Sequence, residues 1–568
     1  MPASRIPAAQ KGLLHREGVL LLCSCLFIVL AYFPTFFGDF ILDDRPFVKD
    51  NPYIQEFHSP ISYLSQQDGI LTPHSGKGHS GYYRPLTNAT YSLDFKIWGL
   101  NPAGFRATNL ALHLLACILL YLCMRKIVKG TGGPLFAILL FGLHPVNTEA
   151  VSWVASRNNI LVTLFCLGAF YFYLKRKEDG ATWQGLPCLG CFSLALLSKE
   201  FAGVFLPILA MCDAFLGPGV RRFRKLLWGY LAFLAILLAY AAARNAALQG
   251  LVPWSGRSVE DLLKALWFAP FLILENLRIV FLPWGLHNFM ITYPEDWMGR
   301  EALLGFAGMI LLFWLLWRGR DRRQLLFSSL SFLIALVPVL HFLPTSVQSV
   351  VSMRWLYFPM SFLALAGAWG FRQMEGSRRR SLGHGLGGII LVYFGVYTFI
   401  LNNNLWKNEE NFFHREVVLF QNHFYAGDLA RIYHRRGNLA EAERCYRTAE
   451  GNRLPDRIGM LINYAALLVE TNRPAPALTY LEQAENLEPD GAGLGMIFNN
   501  RGAAYFNMKD YGKAIESLRK AAIYSGDDPA VLSNLEKAYD AAGEPGMAAP
   551  MRRRARPLHP DSQRGSQR

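Results

Sequence analysis

Charged side chains are scarce in this sequence of 568 residues. Asp, Glu, Lys and Arg make up only 17% of it and apolar residues 52%, whereas charged residues form about 25% of an average soluble domain. This composition excludes a wholly soluble globule and a disordered chain. Acidic residues are scarcest up to residue 400, where the chain has 21 Asp and Glu and 35 Lys and Arg. The remaining residues include 21 Asp and Glu and 22 Lys and Arg. An apolar, basic first part therefore precedes a tail of ordinary soluble composition.

A second cysteine pair and long basic runs are also missing. Cys188 and Cys191 form the only CxxC, and two thiols without flanking histidines cannot complete a four-ligand zinc site. We interpret them as packing residues.

The sequence pI is about 9.4, but the positive charge lies in short clusters between apolar runs, which is typical of membrane topology and not of a nucleic-acid groove. The composition predicts membrane lipids as partners and no nucleic acid.

Eleven apolar runs are candidates for crossing about 30 Å of hydrocarbon. They are residues 18–37, 105–127, 134–152, 158–174, 185–198, 201–217, 227–244, 302–318, 325–343, 354–371 and 384–401. Because many spans follow the first run, it is predicted to be a retained anchor and not a cleaved signal peptide. Residues 266–286 are apolar too, but they contain Glu275 and Arg278, which are costly in lipid. We interpret this segment as re-entrant or as a hairpin without net crossing.

Short basic clusters beside the spans predict the orientation. Such clusters favour the cytoplasmic side, and they lie at residues 11–16, 125–129, 175–177, 221–225, 318–323 and 378–380. Threading eleven spans through these clusters places the loop 37–104 and the tail after residue 402 together on the opposite side. The expected location is a bacterial inner membrane with the tail in the periplasm, or the endoplasmic-reticulum membrane in a eukaryote.

The tail contains a repeated pattern. Successive units end at Pro455, Pro489 and Pro529, and a degenerate fourth unit follows. Each unit has a small residue and an aromatic residue at matching offsets: Ala442, Ala477 and Ala514, with Tyr433, Tyr464, Tyr505 and Tyr539. A period near 34 with this pattern is typical of tetratricopeptide (TPR) helix pairs, which stack into a solenoid because single pairs cannot bury their apolar faces.

The outer loop carries the most informative polar residues. Asp43 and Asp44 follow the first span by about six residues, so they are expected at the membrane surface. A partly desolvated carboxylate there has a raised proton affinity and suits a general base acting on a hydroxyl. Arg84, further along the loop, is a guanidinium that suits pairing with one of these acids or binding a phosphate. The alternative for the acids is a solvated flank of the span.

Further ionisable residues are predicted at the same outer face. His144, Glu149 and Arg157 come where the chain turns back after the third run, and Lys199 and Glu200 lie in the turn between two short runs. Arg354 begins another run at that face. Cations on this side run against the usual distribution, so Arg84, Arg157, Lys199 and Arg354 indicate an anionic ligand such as a lipid phosphate. The alternative is that Glu149 and Arg157 only neutralise each other.

Several stretches together resemble the transmembrane-and-TPR-containing family of protein O-mannosyltransferases, within the GT-C class of polytopic glycosyltransferases. They are LDDRPFVKDNPYI, YYRPLTNATYSLDFKIWG, TNLALHLL, LHPVNTEAVSWVASRNNIL, LLSKEFAG, LPWGLHNF and RWLYFPMSFL, followed by the tail repeats. The sequence departs from the family at Ser156, which replaces a glycine, and at Asn158 and Asn159, where an acid is common. The short tail is more similar to a bacterial relative than to the long animal proteins.

The resemblance implies an all-α fold: a GT-C-type membrane domain over 1–401 with about eleven spans plus the re-entrant segment, a connector over 402–424, a TPR solenoid over 425–560 and a disordered end over 561–568. It implies transfer of a sugar, typically mannose, from polyprenyl phosphate to a hydroxyl, with inversion.

By the same resemblance Asp43 or Asp44 is the catalytic acid of the first loop, with Asp43 preferred as the base, and Glu149 is a second acid. Arg84, Arg157, Lys199 and Arg354 are the candidates for holding the donor phosphate, with His144 and Glu200 beside them. No essential cofactor or metal is expected, since the sequence supplies no clear ligand set for a divalent ion.

Two other functions compete with a protein-directed transferase. In the first alternative the chain catalyses the same transfer, but the acceptor is a lipid or an envelope glycan. In the second alternative the chain is a non-catalytic scaffold, and its outward ionisable groups are structural. The TPR pattern favours a protein or peptide acceptor, because the grooves of such arrays typically hold protein surfaces.

Overall fold

The computed structural model describes residues 8–65, 82–179, 185–216, 223–248, 259–286, 293–294, 296–319, 322–340, 350–375, 380–450, 456–487, 491, 493–526 and 528–555. The predicted disordered end, 561–568, and part of the predicted outer loop, 66–81, lie outside these residues. The described part is helical, and the chain divides into two compact units, the first extending to residue 411 and the second beginning at residue 412.

The first unit is built mainly from long apolar helices, with a few short helices between them. In chain order the helices are α1 (Ala8–Tyr32), α2 (Pro60–Ser65), α3 (Pro85–Trp98), α4 (Pro102–Ile127), α5 (Gly132–Gly142), α6 (Thr148–Ser152), α7 (Arg157–Asp179), α8 (Gly185–Ser198), α9 (Phe205–Leu216), α10 (Phe223–Ala247), α11 (Val259–Phe281), α12 (Arg300–Arg318), α13 (Arg323–Leu336), α14 (Tyr357–Glu375) and α15 (Arg380–Asn404). The short helix α16 (Glu409–His414) includes the residue at which the first unit ends. Each of the eleven predicted runs overlaps a helix.

Six described helices are long and apolar enough to cross a membrane, or seven if one bent pair counts as a span. The bent pair is α5 with the segment 145–152 that contains α6, and the two parts meet at 49°. Pro145 lies at the break, and a proline has no backbone N–H to continue a helical ladder. The predicted span 134–152 is therefore broken. Residues 266–281 form part of α11, one continuous helix, so the predicted hairpin is not formed there.

Helix α3 lies inside the predicted outer loop. It has inverted polarity, which means that polar side chains face the protein and apolar side chains face outward. Thr87 and Asp94 are buried against the protein, whereas Leu93 and Ile97 are 47% and 58% exposed. Asn101 caps the next helix by accepting the amide of Ala103, so only a short turn separates α3 from the apolar helix α4. An apolar outward face beside the start of a span is expected to meet lipid.

The described residues of the second unit form four helical pairs. They are α17 (Ala426–Arg435) with α18 (Leu439–Glu450), α19 (Arg457–Glu470) with α20 (Pro474–Leu487), α21 (Leu494–Asn507) with α22 (Tyr511–Ser525), and α23 (Pro529–Ala541) with α24 (Pro545–Ala555). Each pair turns through one residue in the left-handed conformation, namely Gly437, Asn472, Lys509 and Gly543. The small residues of the repeat, Ala442, Ala477, Ala514 and Ala548, are buried where the helices pack.

Candidate functional site

The two acids of the first loop follow an unusual backbone turn. Leu42 has a φ of 50°, a left-handed conformation that costs a non-glycine residue about 1–2 kcal/mol. Beyond this turn the two carboxylates have different surroundings, because Asp44 is fully buried and Asp43 remains accessible. Strained backbone is concentrated at functional sites, so the turn marks this loop as a candidate.

Asp44 is bound on both carboxylate oxygens. One oxygen accepts the amide of Ile41 at 3.1 Å, and the other accepts the amide of Ala155 at 2.7 Å. Burial raises the pKa of Asp44 to about 7, although the charge of Arg106 and these amides act in the opposite direction. Asp44 therefore ties the first loop to the turn before α7.

Asp43 has a carboxylate that substrates can reach. Asp43 is an exposed residue of the first loop. Desolvation by the surrounding protein raises the pKa of Asp43, and the positive charge of Arg354 lowers it in part. Among the described residues none donates a hydrogen bond to this carboxylate. An accessible carboxylate with raised proton affinity has the properties of a general base.

Glu149 and Arg354 lie beside the acidic pair. The buried carboxylate of Glu149 accepts the hydroxyl of Ser352 at 2.8 Å and the amide of Arg354 at 2.9 Å. The Arg354 guanidinium lies 3.4 Å from the same carboxylate and 4.6 Å from the centre of the Trp153 ring. Glu149 thus orients Arg354, whose charge also acts on Asp43.

Arg84, Glu200 and Lys199 form the neighbouring part of the site. Arg84 binds Glu200 with two nitrogens, at 2.9 and 3.4 Å. Burial favours the neutral form of Glu200, but the charge and hydrogen bonds of Arg84 outweigh it and lower the pKa of Glu200 to about 2. Lys199 donates to the side-chain oxygen of Asn159 at 2.6 Å. Burial, then the charge of Arg84, lowers the pKa of Lys199 well below its ordinary value.

These groups form one electrostatic cluster. Lys199 interacts through charge with Arg84, Glu200, Arg354 and Glu149. The structure therefore brings together residues that are far apart in the sequence, and these are Asp43, Asp44, Arg84, Glu149, Lys199, Glu200 and Arg354.

His144 and Arg157 have other partners. The ring of His144 contacts the carbonyl of Val280 at 3.0 Å and the amide of Val146 at 3.3 Å. Arg157 is fully buried and ion-paired with Asp94, and it also donates to Asn109 at 2.6 Å. Both side chains are committed to the interior of the unit. The expectation that Arg157 holds a donor phosphate, or merely neutralises Glu149, is not supported by these contacts.

Sequence reasoning missed three residues that organise the site. Asp94 is the partner of Arg157, and Arg106 is a fully buried guanidinium that donates to the backbone carbonyl of Asp39 in the first loop. The ring of Trp153 makes a cation–π contact with the guanidinium of Arg354. The signal for Arg106 was its charge within an apolar run, because an ionisable group at membrane depth is a functional candidate.

A small cavity opens beside Lys199. Apolar side chains, among them Phe201, Val204, Trp355 and Phe358, form most of its lining. With a volume of about 20 Å³ the cavity has room for a water molecule beside the Lys199 ammonium and not for a hydrocarbon chain. In the described part of the chain no three His, Cys, Asp or Glu side chains are grouped so that they could hold a metal ion.

Two parts of this chain are similar to known protein families. Residues 82–243 match the family described as dolichyl-phosphate-mannose-protein mannosyltransferase, and residues 497–522 match the tetratricopeptide repeat. The first match includes Arg84, Glu149, Lys199 and Glu200. One chain therefore contains a segment similar to that mannosyltransferase family and a segment similar to the tetratricopeptide repeat.

Curated relatives agree with these two matches. The protein O-mannosyl-transferase Tmtc3 of Drosophila melanogaster is 25% identical over 90% of this chain and 59% of its own length. Tmtc1 of the same species is 30% identical over 41% of this chain and 27% of its own, and human TMTC2 is 34% identical over 32% and 22%. The chain thus spans less than two thirds of the length of these relatives. The resemblance predicted from the motifs is confirmed.

The oligosaccharyltransferase of Archaeoglobus fulgidus aligns with 71% of this chain and 58% of its own, at 15% identity and a TM-score of 0.35.

Proposed function

We propose that this protein is a GT-C glycosyltransferase that transfers a sugar, most simply mannose, from a polyprenyl-phosphate donor to a hydroxyl of a protein acceptor at the outer face of the membrane. The observation that carries the proposal is the accessible carboxylate of Asp43, which interacts through charge with the guanidinium of Arg354. A proton acceptor and a cation at one place are what glycosyl transfer from a phosphate requires.

The reaction follows from these roles. Asp43 takes the proton of the acceptor hydroxyl while its oxygen attacks the anomeric carbon of the sugar. The bond between that carbon and the phosphate oxygen breaks, and polyprenyl phosphate leaves with the electron pair. Attack opposite the leaving group inverts the anomeric centre. Arg354 and Lys199 stabilise the departing phosphate, and Glu149 keeps Arg354 in position through the ion pair at 3.4 Å.

The phosphate of the donor is proposed to bind beside the Lys199 ammonium, which lines a small cavity. A phosphate there would supply the negative charge that a buried ammonium lacks, so Lys199 would be protonated when the donor is bound. We propose no essential metal, because side chains of the cluster provide both the base and the cations.

The tail is proposed to recruit the acceptor. Its helical pairs repeat with the same turn, and repeats of this kind stack into solenoids whose concave surfaces hold peptides. The basic clusters of the sequence support the proposal that the tail and the first loop share one compartment, the periplasm if the chain is bacterial.

A transfer assay tests the proposal. The full chain in lipid nanodiscs is incubated with radiolabelled polyprenyl-phosphate mannose, and with a Ser- and Thr-containing peptide or protein, or with a glycolipid, as acceptor. Label in the protein arm supports the proposal, and label in the glycolipid arm alone moves the acceptor to lipid. If no label is transferred in any arm, the proposed transferase activity is excluded and the non-catalytic scaffold is the remaining function.

The pH dependence of kcat/KM provides a prediction. Asp43 must be deprotonated to act as a base, and its pKa is raised by the surrounding protein. Activity is therefore expected to fall as the pH is lowered through a value above the ordinary pKa of Asp, about 3.9. Arg354→Gln removes the charge that lowers this pKa and should move the acidic limb to higher pH. A limb that does not move in this variant would contradict the pairing of Asp43 with Arg354.

Replacement of Lys199 tests the donor site. Lys199→Gln is expected to raise the KM for the donor about 10- to 100-fold, the loss expected when one hydrogen bond to a charged group is removed, with a smaller change in kcat. Lys96→Gln is the matched control, because Lys96 is exposed on α3 and has no place in the site. An unchanged donor KM in Lys199→Gln would show that the phosphate lies elsewhere.

A further inference from the structure

The segment that follows the last long helix of the first unit is held against the candidate site. Helix α15 ends at Asn404, and the next two residues, Leu405 and Trp406, are completely buried. Asn402 accepts a hydrogen bond from Ser152 and donates to the carbonyl of Ala31 at 3.1 Å. Polar contacts of this kind are unexpected for a plain linker, which would lie in solvent.

The backbone of this segment is joined to the loop that carries the acids. The amide of Asp39 donates to the carbonyl of Lys407 at 2.8 Å. The guanidinium of Arg106 binds the carbonyl of Thr35 at 3.0 Å and that of Trp406 at 3.3 Å. Gly38 allows this approach, since a Cβ there would lie 2.2 Å from the guanidinium of Arg106 and 2.8 Å from the carbonyl oxygen of Trp406.

The side chain of Trp406 reaches the other half of the site. Its ring stacks on that of Trp153, with centroids 6.3 Å apart and planes inclined by 19°. Trp153 in turn lies 4.6 Å from the guanidinium of Arg354. Trp406 is therefore connected to the first loop through its backbone and to Arg354 through its ring.

We propose that Trp406 is a positioning residue that fixes the separation between Asp43 and Arg354. The inference rests on the proposed function for its catalytic meaning, but the geometry it describes is independent of turnover. The ring of Trp406 supports Trp153 and thereby Arg354, while the adjacent backbone fixes the start of the acidic loop at Asp39. Without the ring, Trp153 is free to tilt and Arg354 moves away from Asp43.

The proposal predicts a change in the proton affinity of Asp43. Arg354 stabilises the ionised carboxylate of Asp43, whereas Asp44 is a like charge beside it. Glu149 interacts through charge with Arg354, and Arg106 with Asp44. An opposite charge at close range lowers a carboxyl pKa by about 1–3 units. Partial withdrawal of Arg354 should therefore raise the pH at which Asp43 ionises by about one unit.

The test measures Asp43 directly. The full chain in nanodiscs is treated with a hydrophobic carbodiimide, which reacts with protonated carboxyl groups, across a series of pH values, and labelling of Asp43 is followed by peptide mass spectrometry. Trp406→Leu should raise the midpoint by about one pH unit, as should Arg354→Gln, and should lower kcat about tenfold with little change in KM. Trp406→Phe should restore the wild-type midpoint. Trp98→Leu is the control, because Trp98 is 45% exposed on α3.

Two results would overturn the proposal. A wild-type labelling midpoint in a folded Trp406→Leu variant would show that the ring does not position Arg354. If Trp406→Leu does not fold, Trp406→Met, which fills more of the space without a flat ring, replaces it, and failure of both to fold would make Trp406 a core residue only. An inactive wild-type protein would end the proposed function, while the labelling midpoints would still decide the role of Trp406.

Discussion

Replacement of Asp43 by Asn is expected to lower kcat by about 10²- to 10⁴-fold, the usual contribution of a general base, with an unchanged melting temperature. Asn keeps the size of the side chain but cannot take a proton. Because Asp43 is accessible and accepts no hydrogen bond from the described residues, its loss leaves no buried donor without a partner. The measurement is transfer from polyprenyl-phosphate mannose to a peptide under saturating conditions.

Variants of two neighbouring acids serve as controls. Asp44→Asn should destabilise the protein by about 1–3 kcal/mol, because one of the amides of Ile41 and Ala155 would face the new NH₂ group and lose its acceptor. Asp50→Asn, at an exposed position of the same loop, should change neither rate nor stability. Wild-type turnover by Asp43→Asn would remove this residue as the base and return the assignment to Asp44.

Replacement of Arg157 by Met is expected to lower the free energy of unfolding by about 3–5 kcal/mol, because it leaves the buried Asp94 carboxylate without its cation. Arg157 also donates to the carbonyls of Thr90 and Phe105, at 3.2 and 3.0 Å. The loss should be visible as a lower melting temperature of the protein in detergent, monitored by size-exclusion chromatography after heating.

A double variant separates this role from binding of a phosphate. Asp94→Asn combined with Arg157→Met removes the orphaned charge and should recover part of the lost stability. Arg45→Met is the control, because the Arg45 side chain is exposed and pairs with Glu409 near the surface. A folded Arg157→Met variant with normal stability and a raised donor KM would instead assign Arg157 to the phosphate.

The sequence was sufficient to predict where most of the long apolar helices lie. Apolar runs and basic clusters depend on local composition, which is why each predicted run overlaps a helix. The segment over 134–152 shows the limit of this reasoning, because its apolar character conceals the break at Pro145. Helix α3 was not predicted, since its apolar residues face outward and do not give the usual pattern of a helix packed on a protein core.

The partners of the charged residues could not be predicted from the sequence. Arg157 and Arg354 look equivalent in the chain, yet Arg157 is paired with Asp94 in the interior, whereas Arg354 is paired with Glu149 and interacts through charge with Asp43. Which acid neutralises which cation depends on contacts between helices far apart in sequence. The role of Trp406 has the same origin, because its stacking partner lies more than 200 residues earlier.

The inverted polarity of α3 determines how the acid-bearing loop can be studied. Cut out as a fragment and expressed without the remaining helices, residues 37–104 would present Leu93 and Ile97 to water and leave Asp94 without Arg157. Such a fragment is expected to precipitate or to partition into detergent micelles. Grafting this loop onto a soluble carrier would therefore fail to reproduce its native conformation, and biochemical work on it requires the intact lipid-embedded polypeptide.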